Sequence, residues 1–376
     1  MKLLKHCRVF APQDMGVKDI LVGGSAILAI EDHIQPFLPE SLEVIDIDEQ
    51  WVFPGFIDSH IHFAGAGGEG GPASRSKELS LAEIVAGGIT TAIGCLGTDG
   101  IVRGLESVLM KAKALRAGGI SAWMYTGSYQ IPPPSILQSP ARDIAIIDEI
   151  IGIGEIAIAD HRSSYPTIDQ FIAIAQEARL GGMLGGKAGI LNIHIGDTGS
   201  PYHMLYEAAK RPGIFFHQFL PTHCNRSAAV FDEAKQYGLK GYVDITCSSY
   251  PHFKDIEIKP SDAFKRLLEA GVPLEHITMS TDAGGSLPRF DENGHSTEIS
   301  YGKPVSLLNE VLDIIDSDEA GIEAPLSTVT KNVAAILALH SKGEIAPGKD
   351  ADIIVVNPAD NTLRRVMAMG RWMLGK

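Results

Sequence analysis

The chain has 376 residues, 45% of them hydrophobic and 21% charged, an ordinary globular composition with enough apolar material for a large core. A formal net charge of −14 argues against a nucleic-acid partner, whose phosphates would be repelled, and leaves open what a small pocket binds. The length predicts one large domain and a smaller one.

Four cysteines (Cys7, Cys95, Cys224 and Cys247) form no CxxC set and read as free, mostly buried thiols of a reducing compartment. The opening MKLLKHCRVF turns polar too soon for a signal peptide, and no window approaches 18 uninterrupted apolar residues. A cytoplasmic protein with no membrane span is expected.

Residues 1–54 read as short β segments at 6–12, 18–30 and 42–54, echoed at 343–358 and 362–374. Pairing the two ends gives one small, β-sandwich-like domain with residues 55–342 inserted into it. The insertion repeats a rhythm of apolar strand, polar end and helix. Its eight candidate strands are 52–62, 88–98, 120–129, 154–162, 189–197, 218–225, 241–249 and 276–285. Such near-continuous apolar runs suit a parallel sheet covered on both faces.

Between the strands lie amphipathic stretches. Residues 104–119 place Leu105, Val108, Leu109 and Ala112 on one face and stop at Gly118–Gly119. Residues 261–271 offer Ser261 as an N-cap, with Phe264, Leu267 and Leu268 facing inward and Gly271 at the end. Eight strands alternating with helices specify an α/β fold, a (β/α)8 TIM-type barrel.

Functional side chains of such barrels gather at the C-terminal ends of the strands. There the first strand offers His60 and His62, two apart and hence on one face, above a glycine-rich loop. The fourth carries Glu155, the fifth ends with His194, the sixth with His223 and the eighth with Asp282. Four imidazoles and two carboxylates at one mouth are a donor set for a divalent cation such as Zn2+. One histidine at a strand end is usually a satisfied core residue; four at the same end are not independent accidents.

The constellation resembles the amidohydrolase superfamily, through HxH after the first strand, single histidines on the fifth and sixth, and aspartate on the eighth. The stretches GFIDSHIHFAGAGGEGGPASR, GCLGTDG, GISAWMYTGSYQIP, ADHRSS, GGMLGGKAG, HIGD, LPTHCNR, DITCSS and STDAGGSLP narrow the resemblance to the isoaspartyl (β-aspartyl) dipeptidases. Residue by residue, that resemblance implies that Glu69 and the Gly67 backbone hold the substrate's α-ammonium. It further implies that Arg162, Arg226 and Ser286 clamp the carboxylate, that Thr98 lines the pocket and that Tyr129 polarises the scissile carbonyl. It implies homo-oligomers as well.

In that family a carbamylated lysine on the fourth strand bridges two metal ions. Glu155 stands at the matching position here, and no lysine occurs between Lys113 and Lys187. Glu155 supplies a carboxylate directly, with a reach shorter by roughly 3–4 Å, estimated from ordinary bond lengths. The expected activity is hydrolysis of isoaspartyl dipeptides by a metal-activated hydroxide, with Asp282 as general base and then general acid. Alternatives are a cyclic-amide hydrolase, an N-acyl-amino-acid deacylase and, more remotely, a non-catalytic scaffold.

Overall fold

The computed structural model describes residues 1–36, 41–293, 295–317 and 320–375. The chain opens with β1 (Lys2–Phe10), β2 (Asp14–Gly23), β3 (Ala26–Glu31), β4 (Glu43–Asp46) and β5 (Trp51–Pro54). Eight strands of the α/β unit follow: β6 (Phe56–Ile61), β7 (Ile89–Gly94), β8 (Ser121–Thr126), β9 (Ile150–Ile158), β10 (Ile190–Ile195), β11 (Phe219–Thr222), β12 (Val243–Thr246) and β13 (Ile277–Ser280). A hairpin, β14 (Ser286–Phe290) and β15 (Ser296–Tyr301), comes next, and β16 (Ile353–Asn357), β17 (Thr362–Ala368) and β18 (Arg371–Leu374) end the chain.

Strands β6 to β11 form a curled parallel sheet in chain order, and β12 pairs with β13 in parallel. Backbone bonds close the ring. Cys224 N–H donates to Asp244 O at 3.1 Å, while Asp282 N–H reaches His60 O at 2.9 Å and His62 N–H reaches Ala283 O at 2.8 Å. The last closure lays the end of β13 against the end of β6, so His62 and Ala283, 221 positions apart, become neighbours. Every residue of β6, β7 and β9 to β13 is buried, which is why these strands read as near-continuous apolar runs, interrupted by buried polar residues such as Asp58 and Asp244.

The strand expected over 52–62 is two strands. Gly55 divides them, since a Cβ there would lie 2.2 Å from the Thr90 hydroxyl. β5 joins the sheet of the chain ends, ordered β18-β17-β16-β5-β1-β2-β3 with β4 beside β1. Alternation sorts its two faces. Val52, Ile353 and Val355 pack with Leu4, Val9 and Ile20 in a core of their own. Phe53, Ile354 and Val356 face the large core instead.

The helix expected over 104–119 is Leu105–Gly118, with Gly119 in the left-handed region as its cap (φ 116°). The other begins earlier than expected: it spans Pro260–Glu269 with Lys259 at the N-cap, and Ser261 is buried in its first turn. Proline at the first helical position, with no N–H to satisfy, sets that start. No helix among the described residues is long and apolar enough to cross a membrane.

Candidate metal centre and substrate pocket

At the C-terminal mouth of the barrel the structure brings together all six expected donors. Glu155 sits at their centre and its two oxygens divide the histidines. Oε2 lies 3.3 Å from His60 Nε2 and 3.7 Å from His62 Nε2, whereas Oε1 lies 2.9 Å from His194 Nδ1 and 3.1 Å from His223 Nε2. Asp282 Oδ1 stands 3.1 Å from His62 Nε2 and 3.7 Å from His60 Nε2.

A local irregularity aims Glu155. Opposite β10, Leu191 pairs with Ile153 and Ile193 with Ile156, so β9 carries one extra residue at Gly154–Glu155. Such a bulge bends the strand and redirects a side chain. Gly154 is required there, because a Cβ would meet Asn192 Cβ at 2.8 Å. His223 (φ 66°) and Asp282 (φ 56°) hold left-handed backbone just past their strands, a conformation that costs about 1–3 kcal/mol in a non-glycine residue.

Hydrogen bonds behind the donors set their tautomers. The Thr222 hydroxyl donates to Asp244 at 2.9 Å and therefore accepts from His60 Nδ1–H at 3.2 Å, which leaves the Nε2 lone pair facing the centre. His223 Nδ1 meets the Thr246 hydroxyl at 2.7 Å and likewise turns Nε2 inward.

These donors fit a divalent cation. His60 Nε2 and Glu155 Oε2 are buried without a hydrogen-bond partner, an arrangement that is costly unless something else satisfies them. The field has the right sign as well. Burial opposes a charge on His60 more than any one neighbour favours it, yet Glu155 and Cys95 together hold the imidazole well above its usual range, so positive charge is drawn to that point. Burial opposes the charges of Glu155 and Asp282 too. His60 and His194 keep Glu155 well below the usual carboxylate range, and the His62 hydrogen bond lowers Asp282.

A cavity of about 520 Å³ opens over the centre, lined in part by His62, Thr98, Tyr129, Arg162, Arg226, Asp282 and Ser286. Tyr129 OH lies 2.8 Å from His194 Nδ1. Burial and the Glu155 charge push its phenol well above 10, so it remains a donor. Glu69, on the glycine-rich loop, is not itself among the lining residues: its side chain, only 4% exposed, stands behind the Thr98 and Ser286 hydroxyls that are. Its Oε1 accepts from Thr98 (2.9 Å) and Ser286 (2.8 Å) and faces Arg162 Nη1 at 3.5 Å, while Oε2 is buried and unpartnered. Gly67 is not among the lining residues. It has φ 86° and lies so close to Ser74 O that a Cβ would come within 2.4 Å.

Sequence reasoning assigned no role to three elements found here. Asp160, quoted within ADHRSS, accepts both Nε (2.9 Å) and Nη2 (2.8 Å) of Arg162, lies 2.9 Å from His194 Nε2 and faces Arg226 Nη1 at 3.5 Å. Arg103 pins the glycine-rich loop by donating to Ala64 O (2.7 Å) and Ser76 O (2.8 Å). The β14–β15 hairpin, which carries the expected Ser286, adds Leu287 and Phe290 to the cavity wall. Only Asp160 had a signal, an acid two residues before an arginine expected in the site.

Comparison with known proteins follows the same lines. The model described as Amidohydrolase family matches residues 51–373. A crystal structure of beta-aspartyl dipeptidase from the thermophilic keratin degrading Fervidobacterium islandicum AW-1, in complex with beta-Asp-Leu dipeptide, is 35% identical with a TM-score of 0.93. That alignment covers 100% of this chain and 97% of the other. D-hydantoinase from Thermus sp., 18% identical with a TM-score of 0.69 and covered to 95% against 100% of this chain, shares the fold. Dihydroorotase of Staphylococcus aureus (strain MRSA252) is 33% identical over 91 residues, 24% of this chain and only about a fifth of the length of that relative (20%).

Proposed function

The chain belongs to the amidohydrolase family, on its beta-aspartyl dipeptidase branch, and from that premise we propose that it hydrolyses the isopeptide bond of isoaspartyl dipeptides. Glu69 is the observation that carries this reading. Its buried, unpartnered Oε2 suits an ammonium, and Arg162 stands 3.5 Å from the same carboxylate. A β-linked aspartyl residue bears its free ammonium and carboxylate on one carbon, so it asks for an anion and a guanidinium side by side. An α-linked residue has no such pair.

In this reading residues 1–54 and 343–376 form the small unit and 55–342 the catalytic one. His60, His62, Glu155, His194, His223 and Asp282 would hold two divalent ions such as Zn2+, with Glu155 serving as the shared carboxylate in place of a carbamylated lysine. Metal bound there supplies Lewis acidity and a nucleophile available at neutral pH. Asp282, kept ionised, takes the proton of the attacking water and passes it to the leaving amine. The Tyr129 hydroxyl donates to the oxyanion as it develops. Glu69 with the Gly67 backbone fixes the ammonium, Arg162, Arg226 and Ser286 the carboxylate, and Thr98 holds Glu69 in place. The working unit is a cytoplasmic homo-oligomer.

The test compares β-Asp-Leu with α-Asp-Leu, using protein of measured metal content. The β-linked substrate is expected to be cleaved far faster. Equal rates, or activity confined to cyclic amides or N-acyl amino acids, overturn the assignment.

A further inference from the structure

Cys95 follows the last residue of β7 and lies beside the HxH segment. Ile61 pairs with Gly94, and Cys95 N–H donates to Ile61 O at 3.2 Å. This register swings the thiol under the His62 ring, with Sγ 3.7 Å from Nδ1 and 3.9 Å from Nε2. The sulfur, the two imidazoles and Glu155 each offer a donor atom within 4.8 Å of all the others. The side chain is 1% exposed. Cys7, Cys224 and Cys247 are buried as well, yet among the described residues none of them joins such a cluster.

Two further atoms point into the same space, His60 Nε2 and Glu155 Oε2, both buried and both unpartnered. Two imidazole nitrogens, one carboxylate oxygen and one sulfur are donors that Zn2+ takes, and Asp282 Oδ1, 3.1 Å from His62 Nε2, faces the same space. A buried thiol in a packed core needs no such company and would be surrounded by apolar groups.

We propose that Cys95 is a thiolate ligand of the ion held on the His60–His62 side of Glu155. Binding breaks the S–H bond, releases the proton to solvent and forms a sulfur–metal bond, with no change of oxidation state. The proposal rests on the reading of the barrel mouth as a cation site and is independent of the dipeptide specificity. It gives the two sides of Glu155 different chemistry, a softer, sulfur-containing side and a side made of His194 and His223.

The test loads metal-free protein with Co2+ and records absorbance. A thiolate-to-cobalt charge-transfer band in the near ultraviolet is expected in the wild type and in Cys224→Ser. Cys95→Ser should lose the band while keeping visible cobalt bands, with affinity for one ion down by at least about tenfold, the lower end of what changes outside the ligand shell cause. X-ray absorption of the zinc-loaded wild type, which needs no variant to fold, should show sulfur at about 2.3 Å. Bound cobalt without the band, a band that persists in Cys95→Ser, or zinc with only nitrogen and oxygen neighbours overturns the proposal. Failure of the wild type to bind either ion would overturn the cation-site reading with it.

Discussion

Replacing Glu155 by glutamine tests the centre most directly, because one carboxylate serves both halves. Its oxygens face four imidazole nitrogens at 2.9 to 3.7 Å, in a site with almost no solvent. The amide keeps the shape but loses the charge, and it turns an NH2 group, which cannot ligate, toward one of the two histidine pairs. Removing one partner from a buried charged contact costs about 3–5 kcal/mol. At about 1.4 kcal/mol per tenfold, that is two to three and a half orders of magnitude in affinity for the ion on that side. Elemental analysis after dialysis against a calibrated chelator should therefore fall from two ions per chain to one, with activity falling in step. Loading with or without bicarbonate should give the same wild-type activity, since Glu155 brings its own carboxylate. A Gln variant that retains both ions within tenfold of the wild-type affinity would refute the bridge.

Asp282→Asn should bind β-Asp-Leu nearly normally and lose several orders of magnitude in kcat; a kcat within tenfold of wild type would point to another base. Asp160→Asn should raise KM, by loosening Arg162 and Arg226, and weaken metal binding about 10–100-fold through His194. Unchanged KM and metal content would make Asp160 a bystander. Glu257, partly buried in the cavity wall, has its carboxyl pushed up to about 7 chiefly by that burial. The fold therefore favours its neutral form, a contribution fully present below about pH 4.5 and lost as pH rises through about 7, worth up to about 3 kcal/mol. Glu257→Gln should accordingly flatten the fall in thermal stability over that interval, and a parallel fall in both proteins would assign it to other groups.

The donors were legible in the sequence because each apolar run ends in its own polar residue, and a parallel barrel puts all such ends on one side. His60, His62, His194, His223 and Asp282 are of that kind. The geometry of Glu155 was not legible. β9 is buried on both faces, so an extra residue at Gly154 leaves no break in any alternation. The passage from β5 to β6 hides in the same way inside one apolar run, which only the crowding of Gly55 against Thr90 divides. Asp160 was seen without a role because its partners His194 and Arg226 lie 34 and 66 residues further on. The β14–β15 hairpin is half-exposed and too weakly patterned to read as strands.

The junction at Gly55 also bears on how a chain is completed during synthesis. β5 is held on one edge by β1 and on the other by β16, whose residues 353–357 lie far downstream of it in the sequence. A nascent chain that already contains every side chain of the site still presents a bare strand edge just upstream of His60 and His62. The strand just before the two donors thus gains its second edge partner from β16, which follows every residue of the site in the sequence. Without β16 a chain would carry the whole site beside an open β5 edge.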